Sequence, residues 1–219
     1  MNPASVRTGT LQRLNLPGLK VPRPLMPAET EGRLTPRQRQ VLDSLETLVI
    51  QEELSEMTMA QIAAQVNCSL RTLYGISPSK DELVLTVMDR RLHRIGRAAI
   101  EALDPEASPL DNLRLYLRLA HEALQPTAGS LIHRYRQTVG ARRLGDAHES
   151  YLVGIVKGLL DQARSRGEII EVDTAVMAHV LGGLGRDLEL MDLEASSWRT
   201  PKETADATTE IILRGLRTD

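Results

Sequence analysis

Residues 69–83, SLRTLYGISPSKDEL, hold chemistry that the rest of the chain lacks. Ser69 is a small polar helix cap and Leu73 an apolar anchor. Ser69, Leu70, Arg71 and Tyr74 fall on the other sides of one short helix and are open to an outside partner. Arg71 and Thr72 carry groups that reach base edges in a duplex major groove, and the Tyr74 hydroxyl can donate to a phosphate while its ring packs on the scaffold. No rival chemistry is legible. His93, His121, His133, His148 and His179 show no metal-ligand spacing, and neither His121-Glu122 nor His148-Glu149 is followed by the second histidine of a zinc-hydrolase motif. A Gly-x-Ser-x-Gly elbow is absent. Gly182, Gly183 and Gly185 lie inside a helical pattern with no Lys-Ser/Thr behind them, so they form no phosphate cradle. The single cysteine, Cys68, precludes a disulfide within the chain and reads as a buried, unreactive thiol. The expectation is therefore no catalytic residue, no metal and no cofactor.

The elements that must position this stretch are helices. Thr35-Pro36 is an N-cap with proline at the first helical position, and Val41, Leu42, Leu45, Leu48 and Val49 follow at helical spacing, predicting a helix over about 36–52. Thr58 and Gln61 make a capping box for a second, short helix that buries Ile62, Ala63 and Val66. Asn67 and Cys68 form the turn, and Ser69 caps a third helix reaching about Gly75. Ser79 with Glu82 opens a long helix whose Leu83, Val84, Val87, Met88 and Ile95 line one side. Two short helices joined by such a turn are the geometry of a helix-turn-helix.

The rest of the chain also reads as helix. Starts are expected at Ser108-Pro109, after Pro126, near Asp146, at Asp173 and at Thr200-Pro201, with Gly167 ending the helix that begins near Asp146. The first 34 residues, with Pro3, Pro17, Pro22, Pro24 and Pro27, read as an extended, flexible arm carrying an excess of three positive charges. Residues 1–94 hold 12 Lys+Arg against 10 Asp+Glu and the remainder 15 against 19, so charge alone does not point to nucleic acid. Nothing resembles a signal peptide, and no stretch approaches the roughly 20 apolar residues of a membrane span, so a cytoplasmic protein without membrane contact is expected.

The run from Thr58 through Leu83, TMAQIAAQVNCSLRTLYGISPSKDEL, resembles the DNA-binding region of the TetR family of transcriptional regulators. That family has an Ile-Ala-x-x-x-Gly-Val-Ser segment, a Thr-Leu-Tyr recognition helix, then Pro-Ser-Lys and an acidic helix start. The match is ungapped over about a quarter of the chain. It implies that Thr58 caps the second helix at the DNA backbone, that Thr72 and Tyr74 contact DNA, and that Lys80 meets a phosphate at a helix amino terminus. This sequence departs from the pattern at Asn67, in place of the usual turn glycine, at Leu70, where a polar or basic residue is common, and at Gly75, Ile76 and Ser77. Asparagine tolerates the positive φ that such a turn requires.

With no strand-like run, the chain is expected to be all-α: a flexible arm (1–34), a three-helix DNA-binding unit (35–82), a connecting helix (83–102), and a larger helical body (103–219) that, by the resemblance, binds a small-molecule effector and dimerises through its last two helices. Within that body Tyr116, His121, Arg134, Tyr135, Met177 and His179 combine polar tips with apolar helices and are candidates to line an effector pocket. Val180, Gly183, Leu184, Leu188, Ile211 and Ile212 are candidates for the dimer interface, because three interior glycines in one apolar helix imply close helix approach; an internal packing contact is the other reading. The expected partners are an operator duplex, a second copy of the chain and an effector. The leading expectation is a homodimeric repressor released or modulated by that effector. The alternative is a helical interaction protein whose helix-turn-helix no longer binds DNA.

Overall fold

The computed structural model describes residues 11, 14–16, 18–50, 54, 57–124, 138–190 and 200–218. These residues form an all-helical fold. In chain order the helices are α1 (Ala28–Arg33), α2 (Pro36–Ile50), α3 (Met59–Gln65), α4 (Leu70–Tyr74), α5 (Lys80–Glu101), α6 (Pro109–Ala120) with a 3-10 turn at His121–Leu124, α7 (Val139–Ser165), α8 (Thr174–Leu190) and α9 (Pro201–Leu216). Among the described residues the sole β feature is an isolated antiparallel bridge between Ile169 and Arg217. No helix among them is long and apolar enough to cross a membrane.

The predicted caps operate. Thr58 accepts from the Gln61 amide while the Gln61 side chain bonds back to the Thr58 amide, and Thr200 and Glu203 repeat that capping box at α9. Ser108 caps α6 with proline at its first turn. Gly167, at φ +70°, takes the left-handed position past the end of α7 that glycine accepts without a Cβ penalty.

The described residues divide into two compact units. One gathers those within 23–93 and 126–144 around Val41, Leu42, Leu45, Ile62, Leu73, Leu83, Val84 and Val87, all nearly inaccessible to solvent. Arg90 binds its outer helices by pairing with Glu31 of α1 at 3.3 Å and with Asp43 and Glu46 of α2 at 2.8 and 3.0 Å. The other unit gathers those within 1–22, 94–125 and 145–219 around Ile100, Leu113, Leu117, Ile155, Leu159 and Leu213. There Glu168 accepts from Ser108 Oγ at 2.7 Å and from the Leu110 amide at 3.1 Å, satisfying the exposed donors at the start of α6.

Two expectations change. The segment 1–34 is not an extended arm where it is described. Leu11, Leu14 and Leu16 are buried, Gln162 Nε2 donates to the Leu14 and Asn15 carbonyls at 2.8 and 3.3 Å, and residues 28–33 are helical. The prolines erase a helical period, but leucines on a strap need only a recess, and α7 supplies one. A Cβ at Gly154 would stand 2.6 Å from Leu19 Cδ2, and a Cβ at Gly158 would collide with Leu16 Cδ2. Likewise, α7 starts at Val139 rather than near Asp146. Thr138 caps it by accepting from the Ala141 amide at 3.2 Å, and Ala141 and Leu144 are buried. Gly140 and Gly145 hid that first turn from a propensity argument. The helix expected between Pro126 and Val139 lies mostly outside the described residues.

Candidate nucleic-acid interface

Helices α3 and α4 meet at a turn where Asn67 adopts φ +50°, the left-handed conformation that asparagine tolerates better than most residues. The Cys68 amide closes back on the Ala63 carbonyl at 2.8 Å. Arg37, from the first turn of α2, donates to the carbonyls of Val66 and Asn67, so its guanidinium occupies acceptors that the end of α3 leaves open. Burial pushes the Cys68 thiol up against an opposing pull from Arg37, which keeps it a neutral thiol at physiological pH.

Ser69 caps α4 by accepting from the Thr72 amide at 3.1 Å, and its hydroxyl lies 2.9 Å from that of Thr72. Leu73 is fully buried and anchors α4 to the unit's core. On the opposite side Leu70 is 41% and Tyr74 52% exposed, and Arg71 is exposed between them. The helix thus turns one apolar side chain inward and presents Leu70, Arg71 and Tyr74 outward. Thr72 is half-buried, with its hydroxyl already bonded to Ser69.

The α4 helix ends because the Ile76 and Ser77 amides both bond the Leu73 carbonyl at 2.9 Å, after which Pro78 prevents continuation. Gly75 fits there because a Cβ would lie 3.3 Å from Gln38 Nε2 and 3.2 Å from the Arg71 carbonyl oxygen. Ser77 is buried, filling a smaller space than the aromatic residue of the family pattern. Ser79 then caps α5, accepting from the Glu82 amide at 3.2 Å, and places Lys80, half-buried, at that helix's amino terminus. No Asp or Glu occurs between Glu56 and Asp81, whereas Arg71 and Lys80 do. The exposed face of α4 is therefore free of acidic residues within its own sequence neighbourhood, which suits a polyanion.

The effector candidates do not converge on one described cavity. Tyr116 is buried in the core of the larger unit, where burial and then the neighbouring Tyr151 push its phenol far up. His121 is buried, with Nδ1 at 2.7 Å from Asp206 Oδ1, and Lys202 holds the other carboxylate oxygen at 2.8 Å. Burial holds the His121 imidazole below its usual value despite Asp206. Burial also works against charge on Asp206, but bonds from Lys202 and His121 hold its carboxyl below the usual range. Met177 packs against the core, whereas His179 is exposed and bonded at 2.8 Å to the Ala175 carbonyl of its own helix, so α8's period turns it outward rather than into the interior. Arg134 and Tyr135 lie outside the described residues. The described concavities, about 200 and 430 Å³, lie where the strap at Asn15 meets α7, and none of the candidates lines them.

The residues expected at a dimer seam separate into two sets. Val180 and Ile211 are 49% and 71% exposed, and Val176, one turn before Val180, is 59% exposed. Leu188 is instead buried, with Leu184 packed beside it and Ala205, and Ile212 packs on the core. Gly183 is buried, and the close approach at Gly182 is to Val153 and Leu152 of α7, where a Cβ would stand 2.6 and 2.9 Å away. That glycine therefore serves packing within the chain. Val176 continues the apolar stripe of α8 toward its amino terminus, on the same side as Val180.

No protein-family model matches the sequence, and no curated protein matches it. Solved structures do. A TetR-family transcriptional regulator from Agrobacterium tumefaciens aligns over 83% of this chain and 98% of its own at 17% identity, with a TM-score of 0.66. A regulatory protein of the same family from Rhodococcus RHA1 aligns over 85% and 100% at 15% identity and a TM-score of 0.61. AibR, solved with isovaleryl coenzyme A and operator DNA, aligns over 80% and 97% at 20% identity and a TM-score of 0.56. These alignments cover 80–85% of the chain, and the chain has the fold of the TetR-family transcriptional regulators.

Proposed function

We propose that the protein is a sequence-specific, non-enzymatic regulator of transcription that binds duplex DNA as a homodimer and responds to a small-molecule effector. The observation that carries this reading is α4: a helix capped by Ser69, anchored by Leu73, and presenting Leu70, Arg71 and Tyr74 outward in a segment without acidic residues. Such a helix enters a major groove with its first residues at the base edges. Thr58 and Lys80, each at the start of a helix, contact phosphates, which set register without reading sequence. Thr72 contributes through the Ser69–Thr72 hydroxyl pair. Repression released by effector is the mode most consistent with this fold.

The exposed Val176, Val180 and Ile211 form part of the face that pairs two copies, aligning two recognition helices on half-sites about 34–36 Å apart. AibR offers a precedent for a protein of this fold engaging both an acyl coenzyme A and operator DNA.

Fluorescence anisotropy against duplexes flanking the protein's own gene, and selection from a randomised duplex pool, test the proposal. Tight, salt-sensitive and sequence-selective binding is expected. Failure to enrich any duplex at low salt overturns it and favours the reading that Leu70 and Tyr74, as exposed apolar groups, dock a protein instead.

A further inference from the structure

We propose that Leu70 is a specificity residue that reads the 5-methyl group of a thymine in each half-site. The inference rests on the DNA-binding reading and adds the chemistry that one side chain selects. Leu70 follows the capping Ser69 directly, at the end of α4 that lies nearest base edges in a groove-bound helix. It is 41% exposed, while Leu73 on the same helix is fully buried, so Leu73 is the anchor of α4 and Leu70 presents part of its side chain outward. A singly exposed leucine is unremarkable on a protein surface. Here it stands beside exposed Arg71 and one turn before exposed Tyr74, and no acidic residue lies between Glu56 and Asp81. The charge pattern favours a polyanion over an apolar protein surface.

Leucine has neither donor nor acceptor, so it cannot pair with the polar edges of guanine, cytosine or adenine. The thymine methyl is the apolar group that the major groove offers. Two effects therefore point the same way. Contact with the methyl removes apolar surface from water, and contact with another base leaves that base's polar edge desolvated and unpaired. Arg71 supplies a complementary preference, its guanidinium matching the two acceptors of guanine.

The test uses the full chain and duplexes selected from a randomised pool. Each thymine of a selected site is replaced in turn by deoxyuridine, which deletes the methyl and leaves base pairing intact. Wild type is expected to lose about four-fold in affinity at one thymine per half-site, equivalent to about 0.8 kcal/mol for one apolar carbon. Leu70→Ala, whose fold is checked by circular dichroism, is expected to bind the parent duplex more weakly and to show no change at that same replacement. Indifference of wild type to every uracil overturns the contact. So does a uracil effect that persists undiminished in Leu70→Ala. If no duplex is selected at all, the DNA-binding reading fails and this contact with it, whereas selection without uracil sensitivity removes the contact alone.

Discussion

Substituting Gly158 with valine tests whether the amino-terminal strap is seated on α7. Leu16 is buried with its Cδ2 inside the space that a Cβ at position 158 requires, and its Cγ lies 3.6 Å from that point. Rotation of the Leu16 methyl relieves a Cβ alone, but valine adds two γ-methyls in the same recess, so Leu16 is expected to be displaced. Returning a buried leucine to water costs about 1.5–3 kcal/mol. Valine recovers about 0.3–0.5 kcal/mol of helix propensity relative to glycine. The net loss is about 1–2.5 kcal/mol, a fall in Tm of about 2–10 °C for a chain of this size. Leu16→Ala alone is expected to cost about 2 kcal/mol, the low end for a buried leucine, because a strap can partly collapse onto the vacated site. In that background Gly158→Val meets no obstacle and becomes neutral or slightly stabilising. Thermal unfolding of the full chain, recorded for the wild type, both single variants and the double variant, yields the coupling between the two sites. If Gly158→Val raises Tm while Leu16 is present, or if the two losses simply add, Leu16 does not occupy that recess and the account of the strap is wrong.

Tyr74→Ala is expected to leave the circular dichroism spectrum and oligomeric state unchanged, because the side chain is half exposed, and to weaken operator binding; an unfolded variant would instead make Tyr74 part of the core. Lys80→Ala should reduce affinity about equally for all duplexes and lower the salt slope by about one per lost contact, and a sequence-selective loss would contradict a phosphate role. Replacing Arg90 with methionine removes three carboxylate contacts, one of them to the buried Glu46, and is expected to destabilise the smaller unit by about 1–3 kcal/mol. Folding holds both His121 and Asp206 below their ordinary pKa values, so the unfolded chain binds protons more readily. The contribution of His121 is present above its ordinary value of 6.5 and is lost as pH falls, so urea midpoints should decline from pH 8 to pH 5, less steeply in His121→Gln; that of Asp206 is lost only below its ordinary 3.8. Equal slopes for the two proteins would remove His121 from this role.

Local chemistry was legible in the sequence because its causes are local. The caps at Thr58, Ser69, Ser79, Ser108 and Thr200 each act within three residues, and Leu73 is the apolar anchor of an otherwise largely polar short helix. Asn67 declared its positive φ through side-chain type. What the sequence could not determine is where a side chain finds its partner. A proline-rich segment with scattered leucines reads as a free arm until Gly154 and Gly158, more than 130 residues later, present the recesses that Leu16 and Leu19 fill. Residues 140–145, which the sequence left before a helix expected to start near Asp146, lie within a continuous α7, because Thr138 caps it and Ala141 and Leu144 gain burial there. The apolar stripe of α8 was visible, but its division was not: Gly182 packs on Val153 and Leu188 joins Ala205, leaving Val176 and Val180 outward, because neighbouring helices cover part of a stripe and periodicity does not say which part.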